Sequence, residues 1–198
     1  MQYTTFLITT DFHANKKAFT GVDSLLSQKT YDAVLMLGDL INHRPSEMPY
    51  VEAFCEMVMK THSLPLFALH GNNEPQEAWE YFRKIGVNIH LETKEFRGYN
   101  ICGLGSFGYL DEAGFEDLSL DNLIINEKTI FITHVPPRKA EVPTHGPLVH
   151  LFGHMHSLQY TKQLGPTMLV QCPAGELGQV TELVLPAKEV KFVQLVTN

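Results

Sequence analysis

Apolar residues along this chain group into short, dense runs that stop at a polar residue or a glycine, separated by stretches in which they recur every third or fourth position. The short runs are rich in β-branched and aromatic types and predict strands at residues 3–10, 32–37, 65–69 and 87–90. The stretches between them predict helices at residues 15–28, 49–61 and 75–85. In the second, Val51, Phe54, Met57 and Val58 make one apolar face and Pro49 sits in the first turn. Strands alternating with helices indicate an α/β fold with a largely parallel sheet. After residue 92 the helical period disappears. Short strands are predicted at 93–97, 100–104, 129–133, 149–152, 168–172, 181–185 and 190–196, as a second sheet packed against the first. Residues 106–120 and 135–147 carry few regular cues, and long loops beside strand ends often contact substrates.

With 198 residues and 44% hydrophobic content, the chain is expected to form one domain, residues 1–198, with a sizeable core. No repeat or linker divides it. The formal net charge of −7 argues against a broad basic surface for nucleic-acid backbones. A small anionic substrate stays compatible if bound metal supplies local positive charge. Cys55, Cys102 and Cys172 are widely spaced and odd in number, which fits reduced thiols. No apolar run reaches the roughly 18 residues of a membrane span. A soluble, cytoplasmic protein is therefore expected.

The residues that end the apolar runs carry the candidate chemistry. They are Asp11-Phe12-His13, Gly38-Asp39, Gly71-Asn72, Thr133-His134 and Gly153-His154-Met155-His156. In open α/β sheets ligands bind beyond the carboxyl ends of strands, where all of these side chains fall. A carboxylate such as Asp39 can bridge two cations, imidazoles favour transition metals over calcium, and an Asn amide oxygen is a hard neutral donor. Asp and Asn after strands are individually ordinary turn residues. Together, Asp11, His13, Asp39, Asn72, His134, His154 and His156 are the donors that a two-metal site requires.

The ordered set DxH, GD, GN, H and GHxH, spread over residues 3–175, resembles the calcineurin-like metallophosphoesterase superfamily. The short length resembles its compact bacterial and archaeal phosphodiesterase branch. The resemblance implies a four-layer α/β/β/α sandwich of two mixed sheets flanked by helices, with two divalent transition-metal ions (Mn, Fe, Zn or Ni) between the sheet tops. By matching motif positions, one ion takes Asp11, His13, Asp39 and His156, and the other Asp39, Asn72, His134 and His154. Pro173-Ala174-Gly175-Glu176 resembles the turn that follows the last metal motif in small members. The implied activity is metal-dependent hydrolysis of a small phosphoester, most simply a diester, by a hydroxide bridging the ions and attacking phosphorus in line. The alternative is a non-catalytic metal-binding or scaffold module of the same fold, whose mark would be loss of ligands. All seven positions hold suitable side chains.

One position departs from the pattern. In many members the GN block continues with a His that protonates the leaving oxygen, whereas residue 73 here is Asn. An amide cannot act as a general acid. Asn73 reads either as a cap for the helix opening at Pro75 or as a residue that orients phosphate. His145 and His43 are candidate substitute acids. Glu74 reads as support for helix entry or a bond to a ligand-bearing turn, and His150, inside an apolar strand, as a satisfied core histidine. The short strands of the second half would also permit a homodimer.

Overall fold

The computed structural model describes residues 3–106, 120, 123–136 and 146–196. Its first sheet has the strand order β11-β10-β1-β2-β3. The parallel centre is β1 (Thr4–Thr9), β2 (Ala33–Met36) and β3 (Leu66–Ala68), and β10 (Gln179–Leu185) and β11 (Glu189–Gln194) add to it antiparallel. The second sheet is ordered β4-β5-β6-β7-β9-β8. Here β5 (Tyr99–Leu104), β6 (Thr129–Thr133), β7 (Val149–Phe152) and β9 (Thr167–Gln171) run parallel, with β4 (Thr93–Phe96) and β8 (Tyr160–Leu164) antiparallel at the edges. Both sheets are thus mixed, as expected.

Three helices cover the outer face of the first sheet. They are α1 (Lys16–Gln28), α2 (Met48–Glu56), which runs on through a π-helical turn at Met57–Thr61, and α3 (Gln76–Lys84). Ala18, Val22, Val51, Phe54, Ala78 and Phe82 from these helices pack on Leu7, Val34, Met36 and Ala68. Asn15 caps α1, its side-chain oxygen accepting from the Lys17 and Ala18 N–H groups at 3.0 and 3.3 Å. The opposite faces of the same strands supply Phe6, Ile8, Leu35 and Phe67 to a core between the sheets, where they meet Ile101, Ile130, Ile132, Leu151 and Val170. Alternation along each strand feeds both cores, so these strands read as nearly continuous apolar runs.

Three expectations are corrected. The last two strands do not extend the second sheet, because Thr4–Ile8 pairs antiparallel with Thr181–Leu185 and returns the chain end to the first. The strand expected at residues 87–90 is two isolated bridges, Asn88 to Ala68 and His90 to Gly103, which tie the sheets together at one edge. β8 was not expected at all: its sequence YTKQL lacks apolar alternation, and every residue in it is exposed. No helix among the described residues is long and apolar enough to cross a membrane.

The registers decide where the chemistry falls. Thr9, Met36 and Ala68 align at the carboxyl ends of the first parallel set, and Thr133, Phe152 and Gln171 at those of the second. The turns that follow these strands meet at one end of the sandwich.

Candidate metal centre

The turn after β1 is built by zippering onto the turn after β2. Asp11 donates its backbone N–H to Gly38 at 3.0 Å, Phe12 to Asp39 at 2.7 Å, and Ala14 to Leu40 at 2.9 Å. Between the two polar residues, Phe12 is fully buried and packs edge-on to Phe19 and Phe54 in the helix-side core, anchoring the turn that carries Asp11 and His13. This geometry requires positive φ at Asp11 (53°), His13 (49°), Asp39 (54°) and, across the site, His154 (66°). Such conformations are disfavoured for residues with a Cβ, and their concentration at one point is typical of functional sites.

Two groups of possible ligand atoms result. Asp11, His13 and His156 form one, and Asp39, His134 and His154 the other, each with its atoms within 4.8 Å of one another. They adjoin. His13 Nε2 is 3.3 Å from His156 Nε2 and 3.8 Å from Asp39 Oδ2, and His134 Nε2 is 3.3 Å from the same Asp39 oxygen. Asn72 Oδ1 lies 3.0 Å from His154 Nδ1, which brings the amide oxygen into the second group. His13, Asp39, His154 and His156, with Asn42, Asn73 and Glu176, line an open cleft of about 550 Å³.

The surrounding bonds leave one atom each of Asp11 and His134 turned toward the other donors without a hydrogen bond to any described residue. Asp11 Oδ2 accepts from the Thr10 hydroxyl at 2.7 Å and the His154 N–H at 2.9 Å, while Oδ1, also buried, has no hydrogen-bond partner. His134 Nδ1 donates to the Leu37 carbonyl at 3.0 Å, and its buried Nε2 is likewise unpartnered. His156 turns Nδ1 to Glu176 Oε1 at 2.5 Å and Nε2 toward Asp11. Buried polar atoms without partners are rare and costly. Here they converge on the same small space, and the hard carboxylate and imidazole donors that surround it suit transition-metal ions.

Glu74 fixes the turns relative to each other. Fully enclosed, it accepts at one oxygen from the backbone N–H groups of Asp39 and Gly71, and at the other from Leu40 and Ile41. One carboxylate therefore holds the GD and GN turns together, a role the sequence signalled only through its place after the GN block. Glu176 was not foreseen as a site residue. It lies in the expected PAGE turn, which docks on β1's end through Gly175 N–H to Thr10 and Glu176 N–H to Asp11.

Electrostatics follow from this crowding. Burial opposes charge on Asp39, but His134 and the Asn73 donors outweigh it and lower the pKa to about 2. Asp11 is lowered likewise, burial being overcome by His156 and His134. In return His134 is raised to about 9, its burial outweighed by Asp39, and His156 to about 9, chiefly by Asp11. His154, dominated by burial, is lowered. Burial and the Asp39 charge push Glu74 up against its four N–H donors.

All seven candidate ligands thus come together. Asn73 does not cap α3, whose N-cap residue Pro75 has no side-chain bond; instead its backbone N–H and its Nδ2 donate to the two oxygens of Asp39 at 2.8 and 2.7 Å. His43 is exposed and is not among the residues lining the cleft, where its neighbour Asn42 is. His145 lies outside the described residues. His150 is buried, as expected of a core histidine, but only half satisfied: Nε2 pairs with the Thr133 hydroxyl at 2.9 Å, Nδ1 has no hydrogen-bond partner among the described residues, and burial lowers its pKa to about 3.

The family model for calcineurin-like phosphoesterases matches residues 4–158. Comparison with curated proteins gives no significant match. Among solved structures, TT1561 of Thermus thermophilus superposes with a TM-score of 0.73 at 20% identity, covering 98% of this chain and 99% of that one. A structure described as a novel archaeal phosphodiesterase gives 0.60 at 14% identity, covering 97% and 100%. The phosphoesterase Yfce from E. coli gives 0.54 at 15% identity, covering 98% and 100%. At these identities the structural likeness shows the fold.

Proposed function

The chain belongs to the calcineurin-like phosphoesterase family, and from that premise we propose that it is a binuclear metal-dependent phosphodiesterase acting on a small phosphoester. One observation carries the reading: two adjoining His/Asp donor groups converge, and among the described residues the buried Asp11 Oδ1 and His134 Nε2 face only other donor atoms of those groups, His156 Nε2 and Asp39 Oδ2, each at 3.3 Å. These atoms fit bound cations. Asp11, His13, Asp39 and His156 would hold one ion, and Asp39, Asn72, His134 and His154 the other. When bound, such a pair lowers the pKa of coordinated water toward about 7 and offsets charge on a phosphoryl group undergoing in-line displacement.

The chain's own residues supply orientation. Thr10 and the His154 N–H fix Asp11 so that its second oxygen faces the site. The Leu37 carbonyl selects the tautomer of His134, and Glu176 that of His156, each leaving Nε2 as the outward donor. Asn73 holds both oxygens of Asp39. The likeness to an archaeal phosphodiesterase and to an E. coli phosphoesterase supports a phosphoester, most simply a diester, as substrate.

The test is hydrolysis of bis-p-nitrophenyl phosphate against p-nitrophenyl phosphate by chelator-stripped protein with Mn²⁺, Ni²⁺, Zn²⁺ or Mg²⁺ restored. Metal-dependent turnover that favours the diester and disappears in Asp39→Asn is the expected result. Tight metal binding without turnover of either ester would replace this reading by a non-catalytic module.

A further inference from the structure

We propose that Asn73 is a positioning residue committed to Asp39, and that the chain cleaves phosphoesters whose leaving group departs as a stabilised anion, an aryl oxide or a phosphate. This rests on the phosphodiesterase reading above. Asn73 spends its backbone N–H on Asp39 Oδ1 at 2.8 Å and its side-chain N–H on Asp39 Oδ2 at 2.7 Å, a two-point grip on the carboxylate proposed above to serve both ions. Its amide is thereby turned to Asp39 and carries no ionisable proton.

The rest of the cleft lining leads the same way. Among the described residues His13, Asp39, His154 and His156 belong to the donor groups, Asn42 has its amide on the His13 carbonyl and on Glu47, and Glu176 is engaged by His156. None of these is left to hand a proton to a departing oxygen. The step balances without one. A bond forms from the attacking hydroxide oxygen to phosphorus, the bond from phosphorus to the leaving oxygen breaks, and the electron pair stays on that oxygen, which takes a proton from solvent afterwards. Positioned acids contribute roughly 10²–10⁴-fold where the leaving group is poor. Without that contribution, an alkoxide leaving group is penalised, whereas an aryl oxide or a phosphate needs no such help.

The experiment measures kcat/KM of the metal-loaded full chain on nucleotide esters with p-nitrophenyl and phenyl leaving groups, on a dinucleoside monophosphate, and on a nucleoside diphosphate sugar. The expected result is a monotonic fall across the esters, with the dinucleoside monophosphate at least about a hundredfold below the p-nitrophenyl ester. Rapid cleavage of the diphosphate sugar would mark the anhydride as the source of the leaving group, and cleavage of the aryl esters alone the aryl oxide. Asn73→Ala should lower all substrates by the same factor, because it acts through Asp39. A loss that grows as the leaving group worsens would mean that Asn73 touches the leaving oxygen, and overturns the proposal. So does dinucleoside turnover within about tenfold of the p-nitrophenyl ester, or its selective loss in His145→Ala, which needs no change at the metal centre. Absence of turnover on every substrate removes the premise and the proposal with it.

Discussion

Asp39 sits at φ 54° with its N–H on Glu74 and both carboxylate oxygens on Asn73, so three separate contacts hold it in a conformation it would not choose alone. Its position after a strand was legible in the sequence, as were the other six donors, because each ends an apolar run. The carboxylates behind them were less legible. Glu74 and Glu176 act through backbone N–H groups and one imidazole nitrogen, and such contacts leave no periodic trace in a sequence. Their effects are measurable. Glu74→Gln replaces an acceptor oxygen with an NH₂ group facing two backbone donors, and leaving two buried N–H groups unsatisfied costs about 2–6 kcal/mol. Urea denaturation should show that loss, and an unchanged midpoint would contradict the clamp. Glu176→Gln should weaken metal binding at the Asp11, His13, His156 group about 10–100-fold, as read by calorimetric titration, with the other group less affected.

At the scale of elements, two parallel strand sets end together and their turns interlock through close backbone approach. Gly38, at φ +109°, has Gly71 N where a Cβ would come within 2.5 Å, and His134 Nδ1 within 2.8 Å. Gly38→Ala must therefore part the GD and GN turns or displace His134. Lower thermal stability together with loss of metal binding is expected, and a variant that binds metal normally would show that the turns are not tightly coupled. This interlocking also explains what the sequence left unread among the elements. β10 carries an apolar-rich strand pattern suited to either sheet, and only its pairing with β1 settles its place. Asn88 and His90 make single bridges to different sheets, an arrangement that reads locally like a short strand. β8, exposed along its length, has no apolar face from which to be predicted.

For the whole molecule, the site places several ionisable groups in a small volume, and metal and protons compete for them. In the metal-free protein His134 and His156 are raised from 6.5 to about 9, so their contribution to stability is fully present below pH 6.5 and is lost as pH rises through 9. Asp11 and Asp39 are lowered from 3.8, Asp39 to about 2, so theirs is present above pH 3.8 and lost as pH falls toward 2. The combined contribution of these four groups to the metal-free chain should be greatest between about pH 4 and 6.5. Metal requires the imidazoles deprotonated, so the rise in Tm on adding Mn²⁺ should be larger at pH 8.5 than at pH 6. A metal-induced shift that shrinks with rising pH would contradict this assignment of charge.

The central claim is that two metal groups sharing Asp39 act together on one phosphoester. Its most direct test titrates chelator-stripped protein with Mn²⁺ while following bound metal and hydrolysis of bis-p-nitrophenyl phosphate in the same samples. The account predicts two ions per chain, with turnover appearing as the second binds, and loss of both that stoichiometry and the activity in Asp39→Asn. Full turnover at one ion per chain, or turnover in the stripped protein, would contradict it.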